Sequence, residues 1–269
     1  NISQRLGDQR RWVDAMSNLA PIHYYCGDFT SGAGLAAALY AVSHDPQSQA
    51  QGLQWQAKCL FCLGRLKEAT ACLVELQGAL DEGGEIVDQA MKLGVHGLRA
   101  TSYLRQNALG SAFEAAAQTM DLAASSIPSS YGVLSGYANP AEVYLSLWEA
   151  GYPQPGLDRL ARKACKVAHS FARVFPIGRP RALLWDGLHH WLAGKPARAA
   201  GAWQASLAAA ARLEMPYDEA LAHYELGRHL PDADPGREEH LARACEIFER
   251  LGAAYDVARA REARCTTRS

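Results

Sequence analysis

Apolar residues recur along this chain at three- and four-residue intervals, in short segments that Gly, Pro or Asn interrupt at regular points. In the clearest stretch Leu183, Leu184, Gly187, Leu188 and Trp191 share one helical face, and Gly194-Lys195-Pro196 breaks the pattern. The pattern then resumes with Ala199, Ala202, Trp203, Leu207 and Ala210 on the face of a second helix. Gly194 suits the left-handed closing position of a helix, and Pro196 suits the first turn of the next. Gly187 and Ala199 are small where two helices must cross closely, while Trp203 supplies the bulk that fills the next layer.

The same grammar returns upstream. Ala57 and Leu60 precede Gly64, with Ala69, Leu73 and Leu76 after it; Ala100 and Tyr103 precede Asn107, with Ala112 and Ala116 after it. Looser copies turn at Gly27-Asp28 and at Gly151, and a last unit runs from Tyr217 to Gly252. The turn residues Gly27, Gly64, Asn107, Gly151 and Gly194 lie about 37 to 44 residues apart, within the period of helical repeats. The expected fold is therefore all-α: a right-handed α-α superhelix of about six helix pairs, closed by an amphipathic helix from Ala253 to Arg264. Connectors are expected at His44–Ser48, Asp81–Glu85, Ser125–Ser130, Phe175–Pro180 and Pro231–Gly236, with a frayed tail from Cys265. None is long enough to divide domains, so residues 1–269 read as one repeat domain. Because the chain starts at Asn1 and enters a helical pattern almost at once, it reads as a fragment of a longer protein.

Composition strengthens the helical reading, since the 49% apolar share is rich in Ala and Leu and long β-branched runs are missing. Twenty-seven Lys and Arg against 28 Asp and Glu leave a net charge of -1, so no global field favours nucleic acid or anionic lipid. No apolar run is long enough to span a bilayer, and no signal-peptide pattern opens the chain, which points to the cytoplasm. Seven cysteines scattered through helical pattern do not form a secreted disulfide framework.

A small residue, a turn Gly, a second small residue and an aromatic at fixed offsets are similar to the tetratricopeptide consensus. Leu183, Gly187, Gly194, Ala199 and Trp203 carry that resemblance best. Most other units lose the consensus aromatic near the start of the first helix, and the spacing exceeds the standard repeat, so the likeness is to a divergent array. The stretch from Tyr224 to Arg261 also resembles the C-terminal repeats of bacterial multidomain signalling proteins. Leu226, Gly227, Ala244, Phe248, Leu251, Gly252 and Ala258 carry it. Those proteins join such repeats to a signalling ATPase module with a class III cyclase or a LuxR-type DNA-binding domain. The resemblance implies a region that senses a ligand or partner and restrains or releases an attached module.

Candidate chemistry is sparse. Cys59-x-x-Cys62 has metal or redox spacing but no companion pair, and in a helical pattern it reads as packing. His189-His190 point in different directions on a helix and do not make a zinc pair. The small residues from Thr30 to Gly34 lack the strand and Lys of a phosphate loop and read as a closely packed helix start. Ser125-Ser126 and Ser129-Ser130 read as turn and capping residues. Carboxylates alternate with cations on helix surfaces, with Glu246 and Arg250 spaced for i, i+4 pairing. No convergent catalytic set emerges, so neither an enzyme nor a bound cofactor or metal is expected.

The residue three positions before each turn reads Tyr24, Phe61, Leu104, Trp148 and Trp191. By the tetratricopeptide resemblance, the first helix of each pair lines a concave groove. These aromatics then stack along one inner surface beside Lys58, Arg105, Tyr224 and Arg228. Such a groove holds a peptide or amphipathic helix, aromatics serving as anchors and cations orienting acidic groups. A register shifted by one residue turns the aromatics inward between helices instead, and Pro21 is placed to kink the first helix. The expected function is a non-catalytic scaffold in a signalling protein, holding a peptide, a partner domain or an effector, with an attached ATPase, cyclase or DNA-binding module as candidate partner. Direct nucleic-acid or membrane binding is not expected. The alternative is the small-molecule sensor of a transcription regulator.

Overall fold

The computed structural model describes residues 9–82 and 89–265; their elements are thirteen α-helices and two short 3-10 segments, with no strand among them. They form two compact units. The first, Asn1–Asp88 with Leu251–Tyr255, contains α1 (Gln9–Tyr25), α2 (Phe29–Val42), α3 (Pro46–Cys62) and α4 (Leu66–Glu82). The second, Gln89–Arg250 with Asp256–Ser269, contains α5 (Gln89–Arg105), α6 (Leu109–Ala124), α7 (Leu134–Glu149) and α8 (Leu157–Val174). It continues through α9 (Arg179–Leu192), α10 (Pro196–Arg212), α11 (Pro216–His229), α12 (Pro235–Arg250) and, from Asp256 onward, α13 (Ala254–Cys265).

Six pairs and a terminal helix are what the periodicity predicts, and the turns explain why. Gly27, Gly64, Asn107, Gly151 and Gly194 all have positive φ, between 58° and 83°. At each, the turn residue's N–H bonds the carbonyl three residues back and the following N–H bonds the carbonyl five back. At the α9–α10 turn these are Gly194 to Trp191 and Lys195 to His190, both 2.9 Å. This closure satisfies helix-end carbonyls with a left-handed residue, which Gly accepts without a Cβ penalty and Asn tolerates. Glu214, between α10 and α11, takes the same conformation (φ 53°) and makes the same two bonds without any Gly or Asn to announce it.

Connectors are tighter than the breaker clusters suggest. Asp45 caps α3 by accepting from the Ser48 N–H at 2.9 Å, so the helix starts at Pro46, inside the expected loop; α12 likewise starts at Pro235. The connector expected at Asp81–Glu85 extends outside the described residues, as does the tail beyond Cys265. Helix α1 runs through Pro21 to Tyr25. Among the described residues no helix is long and apolar enough to cross a membrane.

Within the first unit α1 lies against α3 as well as α2, around buried Ala20, Ala36 and Trp55. A Cβ on Gly32 would stand 2.9 Å from the Cys59 sulfur, so the small residues that open α2 admit α3 closely. Cys59 and Cys62 are both buried free thiols, and burial pushes Cys59 up, away from the reactive thiolate.

In the second unit the first helices of the pairs, α5, α7, α9 and α11, pack side by side, each also backed by its own partner. Helices α5 and α7 cross tightly at Gly97 and Gly136, where an added Cβ would run into the facing backbone. Ser135 Oγ donates to the Gly94 carbonyl at 2.8 Å, and Asn139 Nδ2 donates to the Gly97 carbonyl at 3.2 Å. Gly187 plays the expected small-residue role and admits Trp203 of its own pair, which is 2% exposed, donates to the Leu184 carbonyl at 3.2 Å and also stacks on His229 of the next pair. Glu246 is held by Arg243 at 2.8 Å, one turn away in the i, i+3 direction, rather than by Arg250. Helices α11 and α12 are joined by His223 and His240, whose Nδ1 atoms are 2.8 Å apart. One imidazole must therefore be neutral, and burial with the neighbouring His240 and Arg243 brings His223 down to about 4.

Candidate functional site

The eight candidate residues fall in both units, three in the first and five in the second. In the first unit Tyr24 is half-buried, its ring 5.5 Å from that of Trp55 and 5.8 Å from that of Phe29. Phe61 is 8% exposed. Lys58 is 3% exposed, its Nζ 3.9 Å from the centroid of Trp55, and burial lowers its pKa to about 7. An amine in that position faces an indole rather than water, which costs the charged form its hydration. These side chains belong to an aromatic core as much as to any groove wall, which is the inward alternative for that end of the stripe.

The second unit is different, because its inner helices are tied together by side chains that reach across intervening pairs. Arg105, at the end of α5, donates through Nη2 to the Tyr217 hydroxyl of α11 at 3.0 Å. Arg228 of α11 forms a two-pronged contact with Glu149 at the end of α7, at 2.7 and 3.0 Å, and also holds Glu225 at 2.9 Å. Arg181 of α9 hydrogen-bonds Asp218 of α11 and lies over the Tyr217 ring. First helices of pairs three, four, five and six therefore face one another on one side of the unit.

Trp148, near the end of α7, and Trp191, near the end of α9, are both half-buried. The Trp148 ring is 5.9 Å from His189. Trp191 lies 4.5 Å from His229, which is sandwiched against Trp203 at 4.7 Å. Leu104, the fifth stripe position, is half-buried on α5. The His189 and His190 rings lie edge-on with centroids 5.8 Å apart, and burial lowers His189.

Both arginines pair with carboxylates of the chain itself. Arg228 pairs with Glu149 and Glu225; Arg105 pairs with Asp256 of α13, Nη1 to Oδ2, at 3.7 Å. Asp256 is fully buried. It accepts from the Tyr217 hydroxyl at 2.7 Å and from Arg259 at 2.6 Å, while Arg259 lies over the Tyr224 ring at 4.8 Å and Arg228 lies over the same ring at 5.5 Å. Burial alone would favour the neutral acid; the Arg105 and Arg259 charges and the Tyr217 hydroxyl overcome it and hold Asp256 below the usual carboxylate range. In Glu149 burial is likewise outweighed, by His229 at 3.6 Å and the hydrogen-bonded Arg228, and its pKa falls to about 2.

Sequence spacing could not supply Glu149, Asp218 or Asp256 as members of this face. Their partners lie 79, 37 and 39 residues away along the chain, and only stacking of the pairs brings them in. Another close pair, His169 and Asp186, joins α8 to α9; the Asp186 hydrogen bond raises His169, while burial and the Asp186 charge push the nearby Cys165 thiol up. Among the described residues no group of three or more His, Cys, Asp or Glu is placed to hold a metal ion.

No protein-family model and no curated protein matches the chain. Among solved structures it is similar to the crystal structure of BtubC (BKLC) from P. vanneervenii, at 18% sequence identity with a TM-score of 0.51, the alignment covering 89% of each chain. That likeness supports a helical-repeat fold and nothing finer.

Proposed function

We propose that this chain is a non-catalytic interaction scaffold, a divergent tetratricopeptide-like array whose inner face in the second unit holds a peptide or helical segment of a partner. The observation that carries the reading is the convergence of α5, α7, α9 and α11, tied by Arg105 to Tyr217 and by Arg228 to Glu149, with half-buried Trp148 and Trp191 near the ends of α7 and α9. Aromatic and Arg side chains ringed by ordered neighbours are the composition of interaction hot spots, because they bury large area with little entropy to lose. The resemblance of Tyr224–Arg261 to repeats of bacterial signalling proteins favours a regulatory setting, in which the bound segment belongs to an attached or associated ATPase, cyclase or DNA-binding module.

A displayed library of random twelve-residue peptides, panned on the chain, tests this. Selected peptides are expected to bind with dissociation constants in the micromolar range and to lose at least tenfold in affinity when Trp148 and Trp191 are both replaced by Ala, with helical circular dichroism retained. Peptides that bind the double variant equally well would place recognition elsewhere and remove the proposal.

A further inference from the structure

Helix α13 is seated through a buried carboxylate, Asp256, on Arg105 and Tyr217. Only Asp256 and Ala260 are buried in it, so it lacks the apolar stripe that normally docks a terminal helix. Its buried anchor is a carboxylate, seated among Arg105, Tyr217 and Arg259. Its other ties include exposed ion pairs, Arg261 with Glu249 and Arg264 with Glu238, together with Arg237 on the Ala263 carbonyl at 2.7 Å. Exposed pairs of that kind contribute little. A helix seated by one buried acid and few apolar contacts belongs to the low-stability end of a fold, where local opening is easiest.

We propose that Asp256–Cys265 occupies in cis the seat that a partner helix takes in trans. That partner is a helical segment with an acidic residue in its first turn and an Arg three residues later, the spacing of Asp256 and Arg259. The inference rests on the interaction reading above and deepens it: Arg105, Tyr217 and Tyr224 form the seat, and Arg228 borders it through the same Tyr224 ring. The tethered helix competes at an effective concentration on the order of millimolar, so the resting chain is self-closed and a partner enters only as α13 leaves.

The test uses the full chain and a fluorescein-labelled peptide with the sequence of residues 254–265. In the Asp256→Asn chain, backbone amides of residues 257–265 are expected to exchange with deuterium at least tenfold faster, with α7 and α9 unchanged. The labelled peptide is expected to bind that chain at least tenfold more tightly than the unsubstituted chain, and Asp→Asn within the peptide should abolish the gain. Tyr217→Phe, which removes one donor but keeps the ring, should accelerate the same amides and serves alone if Asp256→Asn does not fold. Unchanged exchange in α13, equal peptide binding by both chains, or indifference to the peptide's acid would each overturn the proposal. Should those failures coincide with continued Trp148- and Trp191-dependent binding of library peptides, the interaction reading survives and only self-occupancy falls.

Discussion

Replacing Gly97 by Ala is expected to destabilise the second unit at or above the upper end of the overpacking range, about 3 kcal/mol, and to do so more than Gly→Ala at exposed Gly201 of α10. A Cβ at position 97 would overlap the Ser135 carbonyl oxygen and come within 2.6 Å of its carbon and 2.8 Å of the Gly136 Cα, whereas at Gly201 it meets nothing within 4 Å. The obstacle is backbone, which cannot rotate away as a side-chain tip does. Moving α7 outward would also cost the bonds from Ser135 to Gly94 and from Asn139 to Gly97 and Thr101. Those donors and acceptors are buried, so leaving them unmade adds a desolvation penalty. Urea unfolding followed by circular dichroism measures both variants, and equal midpoints would show that α5 and α7 do not cross at this pair.

Trp203→Ala is expected to cost about 3–5 kcal/mol, the usual range for truncating a buried Trp. Trp203 fills the space that Gly187 leaves, bonds the Leu184 carbonyl and stacks on His229 of α11, so one side chain joins α9, α10 and α11. Its removal leaves a cavity against Gly187 and frees one side of an imidazole held between two indoles. Trp203→Phe keeps an aromatic plane and should recover part of the loss. A cost below about 1 kcal/mol for the Ala variant would mean that the layer repacks and that this residue does not organise it.

These two positions also show what the sequence makes legible and where it stops. Turns were readable because each is a local device: a left-handed residue, two backbone bonds and a following helix start, all within a few residues of Gly27, Gly64, Asn107, Gly151 or Gly194. Glu214 escaped because its conformation is imposed by the short connector between α10 and α11 rather than chosen by residue type. Aromatic positions were identifiable from register alone, but not their surroundings: Phe61 is buried, whereas Tyr24, Trp148 and Trp191 are half-buried against different aromatic neighbours. The cations were visible as charges, while their partners were not. Nothing in the local pattern around Arg105 points to Tyr217, 112 residues along the chain, or to Asp256 beyond it. Long-range polar pairing is set by how helix pairs stack, and stacking is a property of the whole unit.

The claim on which the functional account rests is that α7, α9 and α11 present a binding surface on their shared side. Hydrogen exchange of the full chain, with and without a peptide selected from the library, addresses it directly. Slowed exchange is expected in those three helices around Trp148, Trp191 and Tyr224, with α6, α8 and α10 unaffected. Slowing confined to the even-numbered helices, or no slowing with saturating peptide, would contradict it.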